Sequence, residues 1–132
     1  MDKLILTIED IINIQIRQIL DSDEEEDRGM EGLVMYEGTL EFIPIALEMP
    51  GIKDNPVKMA ALVLYKIANG HIFWQGNKRT AFVAADTLLG CYGMYISVET
   101  EELVDFIVKV ALPDEVTIED VEKWIENHLE YV

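Results

Sequence analysis

The segment VKMAALVLYKIAN, residues 57–69, limits the fold more than any other part of this chain. Wound as a helix it is apolar on nearly every side, and such a helix has no face to give to water. It has to lie at the centre of a core, with other helices around it. Its ends are marked too: Asn55 fits an N-cap, Pro56 suits the first turn, and Gly70 suits the C-terminal turn.

The surrounding helices can be read from three- and four-residue periodicity. From Thr7, which fits an N-cap, Ile8, Ile11, Ile12, Ile16, Ile19 and Leu20 form one apolar face, ending at the acidic run DSDEEED, residues 21–27. Residues 28–38, with three glycines, read as a loop or flap. A short helix is predicted over about 39–48, strained or interrupted by Pro44, with Pro50 and Gly51 closing it. A polar turn follows Gly70 and leads into a helix from Asn77 to Leu89. Gly90 and Gly93 bracket a connection, and Ser97 or Thr100 caps a helix that runs to Leu112. The last helix starts near Thr117 and places Ile118, Val121, Ile125 and Leu129 on one face, beside Trp124. Only YGMYISV carries a strand signal, enough for a brief pairing. The fold class is all-α: a compact bundle of about six helices, with the turn after Gly70 joining two central ones.

The chain has 132 residues, half of them apolar, which fits a single domain, 1–132, with a real core. One cysteine, Cys91, cannot form an internal disulfide, so a secreted, disulfide-stapled scaffold is not expected and a cytoplasmic location is. No signal peptide is visible in MDKLILTIED, and no stretch approaches the roughly 18 apolar residues of a membrane helix. The net charge is −16. Nucleic acid and anionic membrane are not expected as partners, because both require a basic surface. The charge is uneven, however. Residues 1–52 and 80–132 each carry a net −10, whereas residues 53–79 carry +4.

The positive window ends in GHIFWQGNKRTAF, residues 70–82. His71 opens a turn, and Gly76, Asn77, Lys78 and Arg79 stand at the start of the next helix. Free backbone N–H groups and the helix dipole favour an anion there. Gly76 permits close backbone approach, Lys78 is a point charge, and Arg79 is a bidentate donor for phosphate oxygens. Cations at a helix N-terminus oppose its dipole, and a bound polyphosphate would supply the reason for two of them. His71, with an ordinary pKa of about 6.5, suits a general base. Taken singly, a turn histidine, a surface Lys-Arg pair and a capping Asn are also ordinary features of helical proteins.

Taken together, HIFWQGNKR resembles the signature of the Fic/Doc family. The Fic branch reads approximately His-Pro-Phe-x-x-Gly-Asn-Gly-Arg, with an acidic residue before the first Gly. The Doc (death-on-curing) branch reads approximately His-x-Phe-x-(Asp/Asn)-(Ala/Gly)-Asn-Lys-Arg. His71, Phe73, Gly76, Asn77, Lys78 and Arg79 match as they stand, and Lys78 favours the Doc branch. The likeness covers residues 54–130 well and the first 50 weakly.

The resemblance implies a compact Doc-like helical domain and a nucleotide-dependent transferase. Fic-like proteins usually transfer AMP from ATP to a protein hydroxyl. Doc-like toxins bind the nucleotide the other way round and transfer its γ-phosphate, with elongation factor Tu as the known type of target. His71 would then deprotonate the target Ser or Thr hydroxyl. Gly76, Asn77, Lys78 and Arg79 would hold the phosphates, Phe73 would anchor the loop, and an antitoxin acting in trans would cover the cleft. ATP or another nucleoside triphosphate is the implied co-substrate. Gln75 departs from the pattern, since the family usually has there an Asp, Glu or Asn that helps hold Mg²⁺. An amide oxygen is a legitimate but weaker ligand that brings no charge, which leaves Mg²⁺ binding to be weakened, altered or taken over by nucleotide oxygens and water. The readings left open are γ-phosphate transfer, AMP transfer, and a catalytically silent nucleotide- or antitoxin-binding module.

Other features carry less. The acidic run fails the calcium-loop pattern, with Glu26 at position six and Gly32 at position twelve, and reads as a solvated loop ahead of the flap, 21–38 in all. Trp74 belongs either to the loop packing or to a cleft rim. His128 reads as packing or surface. No match exists to (Ser/Thr)-x-x-x-Glu-(Gly/Asn), the inhibitory motif of many Fic-like proteins.

Overall fold

The computed structural model describes residues 6–132; part of the N-terminal segment read for a signal peptide, residues 1–5, lies outside the described residues. Six α-helices and one small sheet are present among them: α1 Ile8–Leu20, α2 Glu37–Leu47, α3 Pro56–Gly70, α4 Asn77–Gly90, β1 Met94–Ile96, α5 Thr100–Ala111, α6 Ile118–Asn127 and β2 Leu129–Tyr131. A 3-10 turn, Glu25–Asp27, interrupts the acidic run. The all-α class holds. No helix among the described residues is long and apolar enough to cross a membrane.

α3 is the central element, as its composition demands. Ala60, Ala61, Leu62, Val63, Leu64, Ile67 and Ala68 are all buried, and α3 packs most extensively on α4, then on α6, α2 and α5. Alanines on α3 meet a second small-residue face on α4, where Ala81, Ala84 and Ala85 are buried. Short side chains let the two axes approach closely, so the turn between them is held on a rigid pair. Caps fix where the helices begin. Thr7 and Asp10 form a reciprocal capping box on α1, Thr117 and Asp120 form another on α6, and the Asn55 side chain accepts from the Lys58 N–H on α3.

The structure corrects three details. α2 runs unbroken through Pro44, at the cost of the helical donor that the Leu40 carbonyl would otherwise receive. Neither Ser97 nor Thr100 caps α5; its N-cap is Glu99, with no side-chain capping bond. The last helix stops at Asn127, so Leu129 is not on its face. It begins a strand that pairs antiparallel with β1, in the register Met94↔Tyr131, Tyr95↔Glu130, Ile96↔Leu129.

His128 marks that change of direction. Its Nδ1 lies 2.7 Å from the Trp124 carbonyl oxygen and its Nε2 lies 2.9 Å from Glu102 Oε1. Both partners only accept, so both bonds are made when the ring is doubly protonated, and together they tie α6 to α5. The Trp124 carbonyl raises its pKa most; burial opposes this, and Glu102 adds to the rise. A raised folded-state pKa gives stability that is complete below the unfolded value and is lost as pH rises through the folded one. The midpoint of thermal unfolding should therefore fall by a few degrees between mildly acidic and mildly alkaline pH. In His128→Gln that part of the fall should vanish, as differential scanning calorimetry at both pH values would show.

Candidate functional site

The site is built on the short connection between α3 and α4. Gly70 is the last residue of α3, and the left-handed residue that ends the helix is His71 itself, at φ 47° and ψ 50°. A non-glycine residue in this region costs on the order of 1 kcal/mol and persists only where its surroundings fix it. They do so here. His71 Nε2 lies 3.0 Å from the carbonyl oxygen of Ala111, the last residue of α5. Asn69 Nδ2 donates to the neighbouring Val110 carbonyl at 3.1 Å. A carbonyl accepts only, so Nε2 carries a proton. In the neutral ring Nδ1 is then the free base. The imidazole is solvent-exposed.

Residues 72–77 form a pinned loop. Phe73 is 1% exposed and packs in the core. The Asn77 side chain spans the loop: its Oδ1 accepts from the Phe73 N–H at 2.8 Å, and its Nδ2 donates to the Phe73 carbonyl at 2.7 Å. The flap pairs with the same loop on its other edge. Met35 N–H donates to the Ile72 carbonyl at 2.7 Å, Trp74 N–H donates to the Leu33 carbonyl at 3.3 Å, and Val34 and Phe73 form an antiparallel bridge. Trp74, at 55% exposed, belongs to the rim.

Gly76 is the N-cap of α4, at φ 82°. The positive φ favours glycine, and a Cβ there would lie 3.1 Å from Ile19 Cδ1, a tight contact against α1. Having no side chain, Gly76 cannot cap the helix. The first helical bond runs from the Thr80 N–H to the Gly76 carbonyl at 2.9 Å, which leaves the N–H groups of Asn77, Lys78 and Arg79 outside the helical ladder. That arrangement suits an anion.

The two cations differ. Lys78 is exposed and has no salt bridge among the described residues. Arg79 Nη2 sits 2.8 Å from Asp27 Oδ2, with its other arm 3.5 Å from the Gln18 carbonyl. Asp27 is the exception in the acidic run. Its neighbours are solvated as expected, but it is 1% exposed, and the Ser22 hydroxyl donates to the same oxygen at 2.6 Å. Burial pushes its pKa up, but the Ser22 and Arg79 contacts outweigh burial and hold it below the usual carboxylate value. Its second oxygen and the Thr80 hydroxyl have no protein partner. An internal carboxylate therefore already answers Arg79, and Lys78 is the unanswered charge. Both line an apolar cleft of about 300 Å³ walled by Phe82 and Val83 of α4 and by Leu103, Ile107 and Val108 of α5. Val108 is one turn of α5 from Ala111, which holds His71.

Of the residues singled out from sequence, Phe73 and Asn77 are engaged in holding the loop, the Asn77 amide bonding both backbone groups of Phe73. Gly76, Lys78 and Arg79 stand together at the α4 N-terminus, and His71 stands at the opposite end of the loop. Gln75 is half-buried. No group of three His, Cys, Asp or Glu side chains able to hold a metal exists among the described residues, and the Gln75 amide is a neutral, weaker donor for a hard cation such as Mg²⁺.

Sequence reasoning missed Gln15. It is fully buried on α1, donates through Nε2 to the Met30 and Gln75 carbonyls, both at 3.1 Å, and accepts from the Gly32 N–H at 2.7 Å. The available signal was a polar residue on the stripe of Ile11 and Ile19.

No curated protein matches the chain. A sequence model of the Fic/DOC family matches residues 5–89. The match takes in α1 and the flap, where the motif likeness was weak, and it ends before α5, where the likeness had been extended to residue 130. It does not separate the Doc branch from the rest. With nearly two-thirds of its length matched and the His71-to-Arg79 loop in place, the chain belongs to the Fic/DOC family, a family of protein modification by nucleotide transfer.

Proposed function

We propose that the chain is a Doc-like transferase that moves the γ-phosphate of a nucleoside triphosphate, ATP or another, onto a Ser or Thr hydroxyl of a protein. The target class is a cytoplasmic translation factor such as elongation factor Tu, and a separate antitoxin restrains the activity. The observation that carries this reading is His71. It is exposed, locked by the Ala111 carbonyl in the tautomer that leaves Nδ1 basic, and set in the same rigid loop as an uncapped, cationic helix N-terminus.

The acceptor hydroxyl oxygen attacks the γ-phosphorus as its proton passes to His71 Nδ1. The bond from the γ-phosphorus to the bridging oxygen breaks, and the nucleoside diphosphate leaves. Lys78 and the N–H groups of residues 77–79 neutralise the phosphates, and positioning supplies most of the rate. The apolar cleft beside Lys78 and Arg79 has the volume and lining for part of a nucleoside.

Gln75 favours a second reading, a silent nucleotide-binding module. The test compares the native chain with Gln75→Asp for labelling of cell-extract proteins from ATP across a Mg²⁺ titration. The expected result is transfer by the native chain, with the variant needing on the order of tenfold less Mg²⁺, since one added carboxylate near the metal has that scale of effect. Transfer by the variant alone would make the native chain a binding module.

A further inference from the structure

We infer that Gln15 of α1 is a positioning residue that aims the Gly76 N–H at the phosphates; this rests on the proposed phosphate site at the start of α4. Gln15 is wholly buried, and each of its three hydrogen bonds goes to a backbone group of another segment, never to its own helix. Two go to the flap, at Met30 and Gly32, and the third holds the carbonyl of Gln75.

That third bond has a geometric consequence. The peptide joining Gln75 to Gly76 is trans and planar, so its carbonyl and its N–H point in opposite directions. Because Gln15 draws the Gln75 oxygen toward α1, the Gly76 N–H is turned away from α1. There it joins the N–H groups of Asn77, Lys78 and Arg79, which the α4 ladder does not use. No acceptor for it exists among the described residues. Ile19, one turn further along α1, closes the seat by packing where a Gly76 Cβ would stand, and the Gln18 carbonyl faces Arg79. Residues 15, 18 and 19 thus support three successive parts of the motif. Gln15 is the one that determines which way a peptide plane faces.

The experiment titrates wild type, Gln15→Met and Gln15→Glu with ATP, inorganic tripolyphosphate and adenosine by calorimetry. Val121→Ala, a buried α6 position remote from the motif, serves as the control for lost stability. Methionine keeps the length and removes all three bonds. Glutamate keeps an acceptor for Gly32 but has no donor for Gln75. Both variants are expected to lose about ten- to a hundredfold in affinity for ATP and tripolyphosphate, the scale of one charge-assisted hydrogen bond, and to keep wild-type affinity for adenosine. Unchanged tripolyphosphate binding in either folded variant overturns the role of Gln15 and leaves the phosphate site standing. An equal loss in Val121→Ala also overturns it, by reducing Gln15 to a contributor to stability. Wild type that binds neither ATP nor tripolyphosphate overturns the phosphate site and this inference together.

Discussion

His71→Ala is expected to lower protein labelling from ATP by about 10²- to 10⁴-fold, the range a positioned general base contributes. The fold should survive it. The imidazole is exposed, so truncation removes little packing, and the hydrogen bond lost to the Ala111 carbonyl is worth about 1 kcal/mol. Nucleotide affinity should change little, because the phosphate donors lie at the other end of the loop. His71→Gly separates the chemistry from the backbone more sharply. Glycine takes the φ of 47° without strain, so this variant should be at least as stable as His71→Ala and equally inactive. Residual transfer above a tenth of wild type in both variants would remove His71 from the mechanism. Urea melts of the purified proteins would check the stability half of the expectation.

Phe73→Ala should have the largest effect on stability. The ring is fully buried, and removing a core phenylalanine costs about 3–5 kcal/mol, a large share of the roughly 5–15 kcal/mol that holds a domain of this size together. The damage should also be local. Phe73 is the residue that Asn77 clamps and that pairs with Val34 of the flap, so its loss unseats both edges of the motif loop. Hydrogen exchange should rise first in residues 33–36 and 72–77. A loss below about 1 kcal/mol, or exchange that rises evenly over the chain, would show that the ring is not the anchor.

The parts of the molecule that were legible in the sequence are those decided locally. α3 was forced to the centre by a run with no polar face, and the starts of α1, α3 and α6 were set by Thr7, Asn55 and Thr117. The motif loop was legible because its residues are consecutive. What stayed hidden depends on groups distant in the chain. Asp27 looks like its acidic neighbours, and only the approach of Arg79, 52 residues later, separates it from them by burying it. Cations at the start of α4 raised the question of an anion, and part of the answer is internal. Gln15 was hidden by its place on an apolar stripe, since its partners are backbone groups of two loops that carry no side-chain signature. β2 was hidden because its first residue, Leu129, continues the α6 periodicity, and only pairing with β1 makes the segment a strand. The left-handed His71 was unexpected next to Gly70, the residue chemically better suited to end a helix.

The central claim is that a protein hydroxyl takes the γ-phosphate at His71. It is tested most directly by incubating the wild-type chain and a cell extract with ATP labelled at either the γ- or the α-phosphate. The account predicts γ-label on protein, absent with the α-labelled nucleotide and lost in His71→Ala. Label from the α-phosphate would contradict it in favour of AMP transfer, and no protein label from either nucleotide would contradict it in favour of a binding module.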